Sequence, residues 1–180
     1  MTPEADRLAL LQLARDAIVA HVTGSAVRRA PGSAALDRPG AAFVTLHRHG
    51  ELRGCIGHIE QDEPLGRVVV RCAVGACSAD PRFPPVGALE LDALEIELSV
   101  LGPLEPIAGP DEIEIGRHGL VVELLLRRGL LLPQVAVEWK WDCATFLAHT
   151  CQKAGLPRDA WKKGASLWRF EAEVFAEPRR

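Results

Sequence analysis

The sequence contains no tyrosine and one methionine, and aromatic residues make up 5% of its 180 positions. The lack of tyrosine excludes chemistries that rely on a phenol group. Apolar runs are also short: stretches such as residues 129–133, and 121–126 with Glu123 inside it, fall well below the roughly 20 residues that a transmembrane helix needs. The first residues mix acids with leucines and have no basic segment leading into an apolar block, so a secretory signal is not expected.

No sign of charge dominates, because the formal net charge is −3. Basic pairs such as Arg127-Arg128 are not interleaved with aromatic residues, as they would be on a surface that stacks nucleobases. The five cysteines are odd in number and none lies in a Cys-x-x-Cys pair, a pattern typical of reduced thiols. We therefore expect a cytoplasmic protein that does not bind a membrane, and nucleic acid is not its expected partner.

The common catalytic motifs are missing as well. There is no Gly-x-Ser-x-Gly elbow, no His-Glu-x-x-His and no dinucleotide or phosphate-loop fingerprint. Cys55-x-x-His58 offers two ligands, and a zinc site needs more, so no metal is expected. No pattern identifies a cofactor.

The remaining pattern predicts an α+β fold, with an antiparallel or mixed sheet flanked by helices, in one domain spanning residues 1–180. Residues 25–40, rich in Ala, Gly, Pro and Arg, are predicted to form a flexible surface loop. Periodicity predicts helices over 3–22, 64–77 and 142–154, and strands over 42–46, 52–59, 94–100, 120–126, 129–132 and from residue 168.

The most distinctive stretch is Leu52-Arg53-Gly54-Cys55-Ile56-Gly57. It lies on the return strand of a hairpin whose turn is predicted at residues 48–51, and its two glycines predict a bulge or sharp bend near the cysteine. Cys55 is then either a reactive thiol, with Arg53 or His58 favouring the thiolate, or a small buried residue that the glycines allow to pack closely.

Three further groups of residues are candidates for a polar site. Asp80 and Arg82 flank a rigid proline; they could orient a polar substrate, or pair with each other, or cap the preceding helix. His118 lies between glycines in a constrained turn. Gln134 and Glu138 share one face of a helical turn beside two tryptophans, which form either an aromatic core or the wall of a pocket.

Taken in order, these motifs resemble the AMMECR domain. The residues that carry the resemblance are Leu52-Arg53-Gly54-Cys55-Ile56-Gly57, Asp80-Pro81-Arg82-Phe83-Pro84-Pro85, Gly116-Arg117-His118-Gly119-Leu120, Leu132-Pro133-Gln134-Val135-Ala136 and Cys151-x-Lys153-Ala154-Gly155-Leu156. The match covers nearly the whole chain, and the six-residue cysteine motif is the hallmark of that family.

The resemblance implies an α+β domain in two lobes, with the hallmark motif near a cleft between them. Within that family, the sequence resembles the type known as protein A of the AmmeMemoRadiSam system. This resemblance implies a Memo-like protein and a radical-SAM protein as partners. The activity of the family is not established. It has been regarded both as an enzyme and as a factor connected with information-processing machinery.

Two hypotheses follow. In the first, the chain is an intracellular enzyme or enzyme subunit that acts on a small polar substrate, with Cys55 as nucleophile or redox group and His58 and His118 as proton-transfer partners. The substrate-binding residues would be Arg53, Gly54, Gly57, Asp80, Arg82, Gln134 and Glu138. In the second, the same motif builds a non-catalytic groove for a protein partner or a nucleic acid.

Overall fold

A computed structural model describes residues 2–26 and 34–178. The chain divides into two compact units, one of Met1–Leu101 with Glu173–Arg180 and one of Gly102–Ala172. Each unit combines an antiparallel sheet with helices, so the predicted α+β class is confirmed. Within the described residues, no helix is both long enough and apolar enough to cross a bilayer.

The first unit contains a hairpin, a third strand and two main helices. Strands β1 (Ala41–Arg48), β2 (Glu51–His58) and β3 (Leu94–Leu101) form an antiparallel sheet in the order β2-β1-β3. Helices α1 (Glu4–Thr23), α2 (Ala34–Asp37) and α3 (Leu65–Ser78) accompany it.

Alternation along the strands determines which face of this sheet is buried. Val44 and Leu46 of β1 and Ile96 and Leu98 of β3 are fully buried in one cluster with residues of α1 and α3. Successive strand residues point to opposite faces, so the residues between them, including Thr45, lie on the outer face. The predicted alternation of β3 is therefore confirmed.

The second unit is built on the sheet β4-β7-β5-β6, all antiparallel. Its strands are β4 (Glu105–Ile107), β5 (His118–Leu124), β6 (Arg127–Leu131) and β7 (Ser166–Ala176), and its helices are α4 (Pro133–Glu138) and α5 (Cys143–Lys153). Phe146 and Leu147 of α5 are fully buried against Leu120 and Val122 of β5. Asp142, whose carboxylate accepts from the Thr145 N–H at 2.7 Å, begins α5.

Two local predictions differ from the structure. The turn between β5 and β6 is formed by Leu125 and Leu126, not by the Arg127-Arg128 pair that follows them. Leu125 has φ of 56°, a conformation that apolar side chains rarely adopt, so sequence propensity does not predict a turn there. In the predicted loop 25–40, residues 34–37 form a short helix, and residues 27–33 lie outside the described part of the chain.

Candidate functional site

The hallmark motif occupies β2, which returns from β1 through a two-residue turn. His49 and Gly50 have φ of 53° and 82°, the positive values of a tight hairpin turn. The register then shifts: His47 pairs with Leu52 and Leu46 with Gly54. Arg53 is left as an extra residue, so the predicted bulge is confirmed.

Both glycines of the motif allow close packing of atoms against the backbone. A Cβ on Gly54 would lie 2.1 Å from the carbonyl oxygen of Ala76, so β2 packs directly against the backbone of α3. On the opposite face, a Cβ on Gly57 would lie 2.2 Å from the Phe43 ring. Because both sides of β2 are this close to neighbouring atoms, the strand has little freedom around Cys55.

Cys55 is half-buried on the outer face of the sheet, opposite Thr45 of β1. The Thr45 hydroxyl donates to Cys55 Sγ at 3.4 Å. The Cys55 backbone N–H donates to Asp80 Oδ2 at 2.9 Å. Since β2 is the edge strand of its sheet, this N–H faces away from β1, and Asp80 satisfies it in place of a further strand.

Asp80 and Arg82 pair with each other. Arg82 donates through Nε to Oδ1 at 3.0 Å and through Nη2 to Oδ2 at 2.7 Å, and its backbone N–H adds a bond of 3.1 Å. Asp80 is buried. The Arg82 guanidinium, followed by the N–H groups of Cys55 and Arg82, holds the pKa of Asp80 well below its ordinary value. The carboxylate is thus a fixed negative charge under the strand edge.

Arg53, the bulge residue, is engaged by Glu90. Its Nε and Nη2 donate to the two Glu90 oxygens at 2.9 and 3.0 Å, and Arg48 Nη1 donates to the same carboxylate at 2.9 Å. The Gly87 N–H donates to Glu90 Oε1 at 2.9 Å. The Phe83 ring lies within 6.0 Å of the Arg53 guanidinium carbon. Arg53 and Arg82, which the sequence suggested as substrate-binding residues, therefore both already bind carboxylates.

We expect a Glu90→Gln substitution to lower the free energy of unfolding by about 1–3 kcal/mol, because it removes charge-assisted bonds from a mostly buried carboxylate. Arg53 and then the Gly87 N–H lower the pKa of Glu90 to about 2. A depressed carboxyl pKa stabilises the fold above the unfolded-state value, and this stabilisation is lost as the pH falls towards the folded-state value. Urea unfolding between pH 7 and 2 measures it.

The exposed Glu51 on the same hairpin provides the matched control for that experiment. Glu51→Gln should unfold like the parent protein at every pH. The difference between the parent protein and Glu90→Gln should shrink below about pH 4.5, the ordinary glutamate value. A difference that stays constant with pH would contradict the assigned role of Glu90.

His58, at the end of β2, contacts carboxylates. Its Nε2 lies 2.9 Å from Asp62 Oδ1, and its Nδ1 lies 3.8 Å from Glu60 Oε2. In the described residues it forms no hydrogen bond to Cys55, in agreement with their opposite orientations on a strand. His58, Asp62 and Glu63 bring three potential metal ligands within 4.8 Å of one another. However, Glu63 already binds Arg71 Nη1 at 2.5 Å.

The other candidates, His118, Gln134 and Glu138, belong to the second unit. His118 is buried at the start of β5, and its Nδ1 accepts from the Glu114 N–H at 3.0 Å. The pKa of His118 is lowered, mainly by burial and then by the charges of Arg169 and Arg117.

Gln134 is half-buried and Glu138 is exposed, both on α4. Beside them Trp139, 68% exposed, stacks on Trp141 with ring centroids 6.1 Å apart, and Trp141 stacks on His149 at 3.9 Å. Trp139 and Trp141 thus form a stack at the surface. This arrangement is intermediate between the two alternatives that the sequence suggested, an aromatic core or the wall of a pocket.

Sequence reasoning missed two residues of the site, Thr45 and Glu90. Thr45 could have been found by counting the pairing from the hairpin turn, but only if the extra residue at Arg53 had been placed first, since a slip by one reverses the facing of every side chain. Glu90 lies 37 residues from Arg53 in the chain. No local spacing connects them.

The comparison with known families is decisive. A family model described as AMMECR1 matches residues 11–175. The chain belongs to the AMMECR1 family. The cysteine hallmark, the Asp80–Arg82 segment and the His118 segment all lie within the matched residues, so the resemblance drawn from the motifs is confirmed at the level of the AMMECR1 family.

Similar proteins match this chain over nearly its full length. A protein of Methanothermobacter thermautotrophicus is 44% identical, covering 93% of this chain and 92% of the relative. A protein of Methanosarcina acetivorans is 43% identical, covering 98% and 94%. The crystal structure of uncharacterized protein PH0010 from Pyrococcus horikoshii superimposes with a TM-score of 0.86 at 42% identity, over 93% of this chain and 89% of that one. The α+β fold of this chain therefore matches that of a solved structure.

Proposed function

We propose that this AMMECR1-family protein is an enzyme or enzyme subunit that acts on a small polar substrate through Cys55 as its reactive thiol. The observation that carries the proposal is the setting of the sulfur: Sγ accepts a hydrogen bond from Thr45 while the backbone of the same residue is held by Asp80. The hydroxyl donor orients the sulfur, and the fixed backbone positions it for reaction.

The other thiols have the properties of structural cysteines. Burial raises the pKa of Cys72 to about 11, and it also raises the pKa of Cys77, Cys143 and Cys151. A raised pKa leaves little thiolate at neutral pH, and the thiolate is the reactive form. Cys55 lies instead on the outer, partly polar face of its sheet, which makes it the candidate for chemistry.

The proposed roles of the remaining residues are narrower than the sequence suggested. Asp80 and Glu90 hold Cys55 and Arg53 in place through their hydrogen bonds, which makes them positioning residues. Gly54 and Gly57 set the path of β2. His58 contacts Asp62 and Glu60 and forms no hydrogen bond to Cys55 within the described residues, so no direct proton transfer between His58 and Cys55 is proposed.

Site-resolved alkylation of the folded protein tests this proposal. We expect iodoacetamide to modify Cys55 at least about tenfold faster than the other four thiols, since only thiolates that reagent can reach react quickly. A Thr45→Val variant should react several-fold more slowly at Cys55, because it lacks the hydroxyl donor. Peptide mapping by mass spectrometry follows all five sites in one sample.

The control substitution is at Thr23, an exposed residue on α1 that lies 22 residues before Thr45 in the chain. Thr23→Val should leave the Cys55 rate unchanged. If Cys55 reacts only after denaturant is added, it is a structural residue and the enzymatic proposal fails.

The wider setting belongs to the same proposal. We assign the chain to the AmmeMemoRadiSam type, with a Memo-like protein and a radical-SAM protein as its partners and the cytoplasm as its location. Reduced, unpaired cysteines support the location. Co-purification of the intact chain with either partner type, expressed together, tests the association.

One observation favours the alternative, a non-catalytic adaptor. Arg53 and Arg82 are each held by a carboxylate and lie against the Phe83 ring, so they form a rigid, preorganised surface of the kind that interfaces use. An adaptor should keep partner binding in Cys55→Ser and lose it in Arg82→Glu. The enzymatic proposal expects activity to be lost in Cys55→Ser.

A further inference from the structure

Polar side chains occupy strand positions of the second unit that alternation assigns to its core face. Along β7, Leu167 is buried in the core, and the next residues with the same facing are Arg169 and Glu171. Their partners on the adjoining strands are Glu105 of β4 and His118 of β5. At this end of the sheet that face leaves the core and reaches solvent, since the Glu171 and Glu105 side chains are 61% and 57% exposed.

These side chains line a cleft. Two cavities of about 360 and 300 Å³ share them as lining, and segment 111–117 completes the larger one. Small-molecule sites begin at roughly 300 Å³. The cleft therefore fits a compact ligand and is too small for a folded partner.

His118 offers one defined hydrogen-bond donor to this cleft. Because Nδ1 accepts the Glu114 N–H, the proton of the neutral ring is on Nε2. Protonation of Nδ1 would place two donors against each other, and the charges of Arg169 and Arg117 oppose it further. Among the described residues, Nε2 has no hydrogen-bond partner. His118 as a whole is 6% exposed and lines the cleft, so this donor is open to an acceptor on a ligand in the cleft.

Arg169 adds a second donor. Its Nε binds Glu105 Oε2 at 3.0 Å and its Nη1 binds the Glu112 carbonyl at 2.6 Å. Those two bonds orient the guanidinium and leave Nη2 without a partner among the described residues. Two donors that line the same cleft, one of them cationic, are suited to a carboxylate.

The rest of the lining is acidic. It carries five carboxylates and two guanidinium groups. Arg117 binds Glu171 and Glu114, and Arg169 binds Glu105. Within the described residues Asp111 forms no ion pair, so the cleft keeps a surplus of negative charge beside the two donors. That surplus favours an ammonium group.

We propose that the cleft around His118 binds a small zwitterion of the α-amino acid class. Its carboxylate accepts from His118 Nε2 and Arg169 Nη2, and its ammonium group lies near Asp111 and Glu112. The proposal depends on residues 102–172 alone, and the reactivity of Cys55 does not bear on it.

Ligand-observed saturation-transfer NMR with the twenty standard L-amino acids tests this proposal. Each responding amino acid is compared with its methyl ester, which lacks the carboxylate, and with its N-acetyl derivative, which lacks the ammonium. We expect each derivative to bind at least about tenfold more weakly, because each loses a charge-assisted interaction. The ¹⁵N signals of His118 should report a proton on Nε2 and should shift on binding.

Variants provide the matched controls. Asp111→Asn changes an exposed residue and should weaken binding several-fold, and Glu123→Gln, outside the cleft, should leave it unchanged. His118→Gln should abolish the response; if this variant does not fold, Asp111→Asn decides. The proposal is overturned if no amino acid binds at millimolar concentration, if the derivatives bind as well as the parent compounds, or if Asp111→Asn binds like the parent protein.

Discussion

A Gly54→Ala substitution is expected to lower the free energy of unfolding by more than about 3 kcal/mol. The added Cβ would lie 2.1 Å from the Ala76 carbonyl oxygen and 3.1 Å from its carbon. Both atoms belong to the backbone of α3. The α3 residues around this contact are buried in the core, so the backbone there cannot move without disrupting the packing of the helix. The strand must then separate from the helix, and the core between them opens.

Urea denaturation of three glycine variants measures this effect. Gly109→Ala is the control, because nothing lies within 4 Å of its Cβ position and its backbone is extended. Gly57→Ala should fall between the two, since its clash is with the Phe43 ring, a side chain that can rotate. If Gly54→Ala differs from Gly109→Ala by less than about 0.5 kcal/mol, the close packing of β2 on α3 is wrong.

The contrast between these glycines shows what a sequence can predict about this site. The pair Gly54 and Gly57 predicted an irregular strand because neither residue suits a regular one. The position of the bulge depends on how β2 packs against α3, and this packing cannot be predicted from the sequence. The bulge falls at Arg53, where β2 must present Gly54 to α3. With regular pairing Cys55 would lie opposite Val44, and the thiol would face the core instead of the outer face.

Ion pairs show a second limit of the same kind. Asp80 and Arg82 lie two residues apart, and the sequence allows them to orient a polar substrate, to pair with each other or to cap the preceding helix. The structure shows the pair. The partner of Arg53 could not be predicted, because Glu90 reaches it only through the fold. Short-range chemistry is visible in the sequence when both groups lie within one turn, whereas long-range chemistry depends on how elements pack.

The chemistry of His118 is a third feature that the sequence could not predict. The sequence placed it in a constrained turn, and the family resemblance placed its segment among the motifs. Its hydrogen bond with the Glu114 N–H decides its chemistry, since that bond makes Nε2 a donor and excludes it as a base in the neutral tautomer. No spacing rule predicts which ring nitrogen a backbone N–H will bind.

The second large effect is expected for Asp80→Asn, which should lower the free energy of unfolding by about 2–4 kcal/mol. The substitution removes the charge from a carboxylate whose side chain is 2% exposed. The Arg82 side chain is half exposed and can turn to water, so the loss comes mainly from Asp80 and from the Cys55 N–H. Asp159→Asn, which changes an exposed pair with Lys163, is the control and should leave stability nearly unchanged.

The pH dependence of this effect has a definite sign. Since Arg82 and two backbone N–H groups lower the pKa of Asp80 in the folded state, its stabilisation is complete above the ordinary value of 3.8 and declines as the pH falls further. The parent protein should therefore lose its advantage over Asp80→Asn in acid. Amide hydrogen exchange gives a local measure, because within the described residues the Cys55 N–H on the edge strand donates only to Asp80. Faster exchange at Cys55 in the variant, without faster exchange in β1, would show that this carboxylate holds the strand edge; equal exchange would remove its positioning role.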